Sequence, residues 1–446
     1  MRDRVLLKGE IMVRFGVALA ALACMAVPAM AQESTEQLKK ELQELRAEVE
    51  GLKAVNQTKE IPAQGKIDAN AMAADDNPVM TLFKGTKLSG FVDVGYEFSF
   101  NKLNTNRIAN NVGPLQNGTG ATANPVRIFD NRDNSFYMHE AHLQLERLAS
   151  KDMIVGYHIE LAAGHDPGLY DNAQFDLQEG WIQIIAPVGS GLDIRAGKMA
   201  TLAGYEVLEN VNNMNYSRGM LFGLIQPFTH TGVRVAYGMG GSNNDMVTFT
   251  LGFNNGLNAG TTDRFADDDH GKAVEFQVAV KPVKDVLVAL TMITGNDTAS
   301  GTNTTTAEHF YLFDIVAAYT MDKLTVGLNV DFASAQQGLG AVNARTPFSG
   351  LALYGKYAWT DAMATALRVE YFSDKNGALL GPTVAGDSGT GSRVFEFTLT
   401  QEIKVANQLI IRIEFRHDDS NNHDFTRNEK AARGDNTLGF EAIMPF

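Results

Sequence analysis

Leu438-Gly439-Phe440-Glu441-Ala442-Ile443-Met444-Pro445-Phe446 closes the chain, and Leu438, Phe440, Ala442, Met444 and Phe446 put an apolar side chain at every second position. Side chains alternate between the two faces of a β-strand, so this spacing gives the segment one greasy face. A bacterial outer-membrane barrel ends in this way, with an apolar outer face and a terminal aromatic residue. The remainder of the chain must then supply enough further strands to close a sheet in lipid.

It does so from Lys87 onward. In Val247-Thr248-Phe249-Thr250-Leu251-Gly252-Phe253-Asn254 every odd position is apolar and every even one is polar or Gly, and in Ile411-Arg412-Ile413-Glu414-Phe415-Arg416 three apolar residues alternate with three charges. Period-two patterning predicts sixteen strands, near 88–100, 135–149, 153–163, 174–187, 191–200, 228–239, 245–255, 272–282, 286–295, 308–321, 323–335, 348–360, 363–374, 393–405, 408–418 and 436–446. Around Phe175–Ile185 no single parity turns all the polar side chains, Glu179 and Gln183 among them, inward, which predicts a bulge or a register error. A soluble sandwich also alternates, but it buries its apolar face. The connections separate the two cases. Short turns such as Gly189-Ser190, Lys284-Asp285 and Ala406-Asn407 alternate with long polar loops such as 101–134, 256–271, 375–392 and 419–435. Short turns on one side and long loops on the other are the layout of an outer-membrane barrel. Tyr96, Tyr319, Tyr357, Trp359, Tyr371 and Phe446 fall near strand ends, where an aromatic girdle belongs.

The chain has 446 residues, 42 glycines and 12 prolines, and a formal net charge of −14. Residues 1–31 read as a signal peptide: Arg14 precedes an apolar run from Phe15 to Pro28, and Ala29-Met30-Ala31 supplies the cleavage pattern. Met12 makes a better start for it than Met1. The single cysteine, Cys24, lies inside this leader; Ala21-Leu22-Ala23-Cys24 is close to a lipobox, with Ala21 where Leu is usual. The acidic balance argues against nucleic acid as a partner. Beyond the leader no stretch approaches the ~20 apolar residues that a spanning helix needs, and a membrane protein without one must be a closed barrel.

Residues 32–57 have a different period. Leu38, Leu42, Leu45, Val49, Leu52 and Asn56 are spaced 4-3-4-3-4, a heptad stripe that predicts a periplasmic coiled coil joining the chains of a parallel oligomer, most simply a homotrimer. A lone surface helix also permits the pattern. At 1.5 Å per residue it would project about 35 Å, which leaves peptidoglycan open as a partner. Residues 58–82 form a polar linker, and 83–446 the barrel.

With apolar positions outward, parity turns Asp93, Glu97, Glu140, His142, Glu146, His158, Glu160, Asp193, Arg195, Arg234, Glu275, Asp314, Asp331, Lys356, Arg368, Glu370, Glu396, Arg412, Glu414, Arg416 and Glu441 toward the lumen. So many charges need a wide, wet bore, as sixteen strands provide. Some would pair with one another across adjacent strands. Arg368, Arg412 and Arg416 on one wall and Arg195 and Arg234 on the opposite one would set up a transverse field, while the excess of carboxylates, Glu370 and Glu414 among them, would favour cations weakly. The third long loop, 201–227, is too apolar to stand in water. It is expected to fold into the barrel and narrow it, with Glu206, Glu209 and Arg218 at the constriction; packing over the rim or at a subunit contact is the alternative.

Arg195-Ala196-Gly197-Lys198, Gly204-Tyr205-Glu206-Val207, Asn215-Tyr216-Ser217-Arg218 and Pro227-Phe228-Thr229-His230-Thr231-Gly232-Val233, with the opening strand Leu88-Ser89-Gly90-Phe91-Val92-Asp93-Val94, resemble the OmpL-like β-barrel porin family. The resemblance covers roughly residues 87–446. It implies an outer-membrane porin of unspecified substrate and brings no binding residues with it. No esterase elbow, zinc-protease helix or phosphate-cradling Gly loop occurs, and Asp267-Asp268-Asp269-His270 reads as a solvated acidic loop. The expectation is therefore a non-enzymatic barrel without a cofactor, passing small hydrophilic solutes through outer-membrane lipid. A structural envelope protein, spacing or tethering the membrane through its coiled coil, is the rival.

Overall fold

A computed structural model of the chain describes residues 85–102, 126–130, 133–150, 153–170, 174–241, 245–256, 271–297, 308–336, 345–375, 380, 391–406, 408–428 and 430–446. The chain divides into a unit Met1–Gly65 and a unit Lys66–Phe446, and all described residues belong to the second. The expected leader, the heptads from Leu38 to Asn56 and the linker lie outside the described residues.

The strands are β1 (Lys87–Ser99), β2 (Ser135–Arg147), β3 (Val155–Ala163), β4 (Phe175–Ala186), β5 (Leu192–Ala200), β6 (Thr229–Met239), β7 (Val247–Asn254), β8 (Ala273–Val280), β9 (Val286–Asp297), β10 (Glu308–Met321), β11 (Leu324–Gln336), β12 (Arg345–Thr360), β13 (Met363–Asp374), β14 (Ser392–Val405), β15 (Leu409–Ser420), β16 (Phe425–Arg427), β17 (Lys430–Ala432) and β18 (Gly434–Pro445). β16 and β17 form a small hairpin of their own, and the other sixteen make one closed barrel in which each strand pairs with its neighbour in sequence. Pairing of β1 with β18, from Phe91–Pro445 to Ser99–Thr437, closes it. Gly90 and Phe446 extend that seam by exchanging backbone hydrogen bonds of 3.0 and 2.9 Å. Closure leaves no strand edge to be desolvated unpaired, the condition for a sheet in hydrocarbon.

The two faces of the sheet follow the alternation. Phe249, Leu251 and Phe253 of β7 and Ile413 and Phe415 of β15 are exposed on the outside, Leu251 at 56 %, while Arg412, Glu414 and Arg416 between them are buried within. Apolar side chains outside and charged ones inside reverse the arrangement of a soluble domain. Tyr319, Tyr357 and Trp359 stand exposed near the short-turn ends of β10 and β12, with the Tyr357 and Trp359 rings edge to face at 4.7 Å. They form part of an interfacial belt.

The expected irregularity in β4 is a bulge. Glu160 pairs with Glu179 but Leu161 with Leu177, so one residue is extra, and Asp176, Gln178, Trp181 and Gln183 all end up buried on the inner side. A second bulge, opposite Asp93 and Val94, was not anticipated. It makes His139 and Glu140 both inward although they are consecutive. Three strands also run further than their apolar alternation: β12 starts at Arg345, β15 reaches Ser420 and β18 starts at Gly434. Backbone pairing continues on the long-loop side after lipid stops dictating the outer face.

Candidate functional site

The third long loop connects β5 to β6 and carries a short 3-10 turn at Asn210–Asn212 and a π-helical turn at Leu221–Ile225. It lies against the inner wall of the barrel. Met220, Leu221, Phe222, Leu224, Ile225 and Phe228 are buried in one cluster with Val126, Ile128 and Phe129 of the first loop and with Ile293, Phe310, Leu312, Phe348 and Phe372 of the wall. This is a correction to the expected wholly wet lumen: the inner face of β9–β13 carries apolar side chains that seat the loop. Two inward glycines make room for its aromatic residues. A Cβ on Gly327 would stand 2.3 Å from the Tyr205 ring, and one on Gly439 2.5 Å from that of Tyr216.

The wall then binds the loop's backbone through its charges. Arg368 Nη1 lies 2.7 Å from Glu206 Oε1 and donates to Ser217 O at 2.5 Å, while its Nε is 3.2 Å from Glu396. Arg412 donates to Asn213 O (2.7 Å) and Asn210 O (3.1 Å) and pairs with Glu402 (3.2 Å) and Glu441 (3.1 Å). Arg416 donates to Arg218 O (2.8 Å) and pairs with Asp418 (2.9 Å). The carboxylates do the converse. Glu414 accepts from Tyr216 N (2.7 Å) and Ser217 N (3.0 Å), and Glu370 from Met220 N (2.6 Å). A charge that satisfies loop carbonyls or amides while keeping an ionic partner meets the conditions for burial without a large desolvation penalty.

The ten lumen residues expected from sequence therefore divide. Arg368, Arg412, Arg416, Glu370 and Glu414 all hold the loop and are at most 3 % exposed, so the three arginines do not form a bare basic strip facing open water. Arg234 pairs with Glu275 (2.8 Å) and donates to Ala200 O (2.9 Å). Arg195 pairs with Asp193 (2.9 Å) and lies over the Trp181 ring at 4.6 Å. With their counter-ions beside them, these groups do not make the transverse field expected of two naked clusters. Glu206 and Arg218, expected at the constriction, are inside the packing: Glu206 accepts from Gly219 N (2.6 Å) and Arg218 bonds Asp166 (2.9 Å), with its guanidinium over Phe129 at 4.3 Å. Only Glu209 of that trio keeps a partly exposed side chain.

Glu209 faces the wall of β2–β4, where Glu140, His142, His158, Glu160 and Glu179 gather. His142 Nδ1 is 2.7 Å from Glu140, His158 Nε2 is 2.8 Å from Glu160, and Gln178 Nε2 donates to Glu209 Oε1 at 2.6 Å. Burial, then the charges of Glu160, Glu179 and Glu140, push the Glu209 carboxyl up to about 8. Asp166 is a contrast. Burial opposes its ionisation, but His139 (3.0 Å) and Arg218 together hold it below the ordinary carboxylate range.

Several partners had no signal in the sequence. Arg127, in the first loop, pairs with Glu97 (3.0 Å), Asp418 (3.1 Å) and Asp130; it sits in a long polar segment without periodicity. His139, bonded to Tyr216 Oη at 3.0 Å, fell on the outward parity until the bulge re-aimed it. Counting both parities on β2 would have found it.

A closed antiparallel barrel of sixteen strands, apolar outside and charged within, with its third loop laid on the inner wall, is a porin of the bacterial outer membrane. Residues 85–446 match the family described as "Putative beta-barrel porin-2, OmpL-like". The chain belongs to that family. No curated protein sequence matches it. Among solved structures, the outer membrane channel DcaP of Acinetobacter baumannii superposes with a TM-score of 0.54 at 10 % identity, covering 81 % of this chain and 98 % of that one. OmpT of Vibrio cholerae in its trimer form gives 0.50 at 14 % identity over 81 % and 99 %, and an anion-selective porin from Comamonas acidovorans gives 0.50 at 9 % over 81 % and 99 %. At such identities the likeness is one of fold.

Proposed function

We propose that this porin passes small hydrophilic solutes and ions by diffusion, that its third loop sets the width of the path, and that it favours cations. One observation carries the charge preference. The arginines of the wall are matched by carboxylates or spent on loop carbonyls, whereas Glu140, Glu160 and Glu179 have no Lys or Arg ion-pair partner among the described residues. Net negative charge lining a low-dielectric bore raises the local cation concentration. The loop's attachment to β11, β12, β13, β15 and β18 supports its role as a fixed narrowing.

Purified protein in a planar bilayer should give stepwise conductance, and in a KCl gradient its reversal potential should have the sign of a cation-preferring pore. A silent bilayer would remove the diffusion role, and a reversal of the opposite sign would remove the charge preference alone. The homotrimer is likewise part of this proposal; it is supported by the heptad stripe and by the trimer form of the Vibrio cholerae barrel that shares the fold.

A further inference from the structure

We propose that His158, Glu160 and Glu179 form a binding site for a divalent transition-metal ion of the Zn²⁺ class on the inner wall of β3 and β4. One ligand atom from each side chain lies within 4.8 Å of those from the other two. Zn²⁺ takes imidazole nitrogen and carboxylate oxygen at about 2.0–2.2 Å, so small side-chain rotations suffice to close the set. The fold brings the three together. His158 and Glu160 are two apart on one face of β3, and Glu179 stands directly across from Glu160 at the β4 bulge.

Two carboxylates facing each other across a strand pair repel, and nothing basic of the Lys or Arg type among the described residues pairs with either. A doubly charged cation between them removes that repulsion. The surroundings are those of a built site. His158 Nδ1 is 3.2 Å from Glu146 Oε2; in the tautomer that donates this bond, Nε2 presents its lone pair toward Glu160, and a metal-bound imidazole characteristically gives its other N–H to a carboxylate. Trp181 stacks on the same imidazole at 4.7 Å and 4°, which holds the ring plane, and its Nε1 donates to Glu179 Oε2 at 3.1 Å. Ala200 N reaches that oxygen at 2.9 Å, and Gln178 Nε2 orients Glu160 at 3.3 Å.

An independent observation points the same way. Buried Glu140 has an Oε2 with no hydrogen-bond partner. Its other oxygen holds His142, whose Nε2 stands 3.9 Å from Glu160 Oε2. The wall thus holds, beyond the three ligands, a further buried carboxylate oxygen that no donor meets. An imidazole with only two or three carboxylates selects a borderline metal over Ca²⁺ or Mg²⁺, which require a fuller oxygen shell.

The test is a calorimetric titration of untagged full-length protein in detergent with ZnCl₂ and, separately, MgCl₂. Binding is the readout, so the outcome is independent of whether the barrel conducts. The expected result is one Zn²⁺ per chain, held at least about tenfold more tightly than Mg²⁺, with Glu179→Gln weakening Zn²⁺ about tenfold or more and Glu146→Gln weakening it by about 10–100-fold through the outer shell. His158→Gln should abolish the site; if that variant does not fold, Glu179→Gln decides the matter. Equal Zn²⁺ affinity in the wild type and Glu179→Gln, or no discrimination between Zn²⁺ and Mg²⁺, overturns the proposal.

Discussion

Arg368 shows what a buried lumen charge does in this barrel. It is enclosed by Glu206, Glu370 and Glu396 and donates to the backbone of Ser217. Removing one member of such a group leaves its partners ionised without a counter-charge, which costs about 3–5 kcal/mol. Arg368→Met should therefore lower the urea midpoint of the folded barrel, measured by its gel mobility in detergent, and raise open-channel noise as the loop loosens; an unchanged midpoint would show the network to be energetically idle. Glu209 makes a pH prediction. Its carboxyl is raised from 4.5 to about 8, so the folded state holds a proton that the unfolded chain has lost. Its contribution to stability is whole below about 4.5 and disappears as pH climbs through about 8. Over the same interval the bore gains a negative charge, so cation preference should rise between pH 7 and 9, and Glu209→Gln should abolish that rise. Both side chains were legible as lumen residues by parity or loop position. Their partners were not, because parity says which way a side chain points and nothing about what meets it.

The third loop is an element that the sequence marks only by its grease. Its apolar residues are too many for solvent, and the structure supplies their seat in Ile293, Phe310, Leu312, Phe348 and Phe372. Those wall residues broke the inward-polar rule, since β10 is apolar on both faces in its outer half, with Tyr311 and Phe313 exposed and Phe310 and Leu312 buried. Both faces greasy in one strand is what a lipid contact and an interior contact together require. Deleting residues 208–222 removes the segment held by Glu370, Glu414, Arg412 and Arg416. Single-channel conductance should then rise, with the barrel still resistant to unfolding in detergent, because strand pairing is untouched. Equal conductance before and after deletion would place the narrowing elsewhere. The β4 bulge belongs to this level too: failed parity between Asp176 and Gln178 on one side and Glu179 and Gln183 on the other marked its place, while the equivalent irregularity in β2 left the alternation plausible and so went unseen.

For the molecule entire, the heptads of residues 32–57 can be separated from the barrel by experiment. If they assemble the trimer, deleting them should reduce the trimer fraction in native gels while monomers keep their stepwise conductance. Persistent conductance with failing envelope integrity in cells would instead favour a tethering role. The barrel itself follows from local information. Every outward side chain answers to the same hydrocarbon, so the period of two, the sixteen segments and the alternation of short and long connections are all written in neighbouring residues. The interior is different in kind. Arg412 meets Asn210 across 202 residues of chain and Arg368 meets Glu206 across 162, and no local pattern encodes which charge on the wall a distant loop will cover. Sequence alone determined the barrel, its orientation of faces and its lumen charges; only the tertiary structure decided which of those charges anchor the third loop and which gather without Lys or Arg partners on β2–β4, because that choice is made by contacts between segments far apart in the chain.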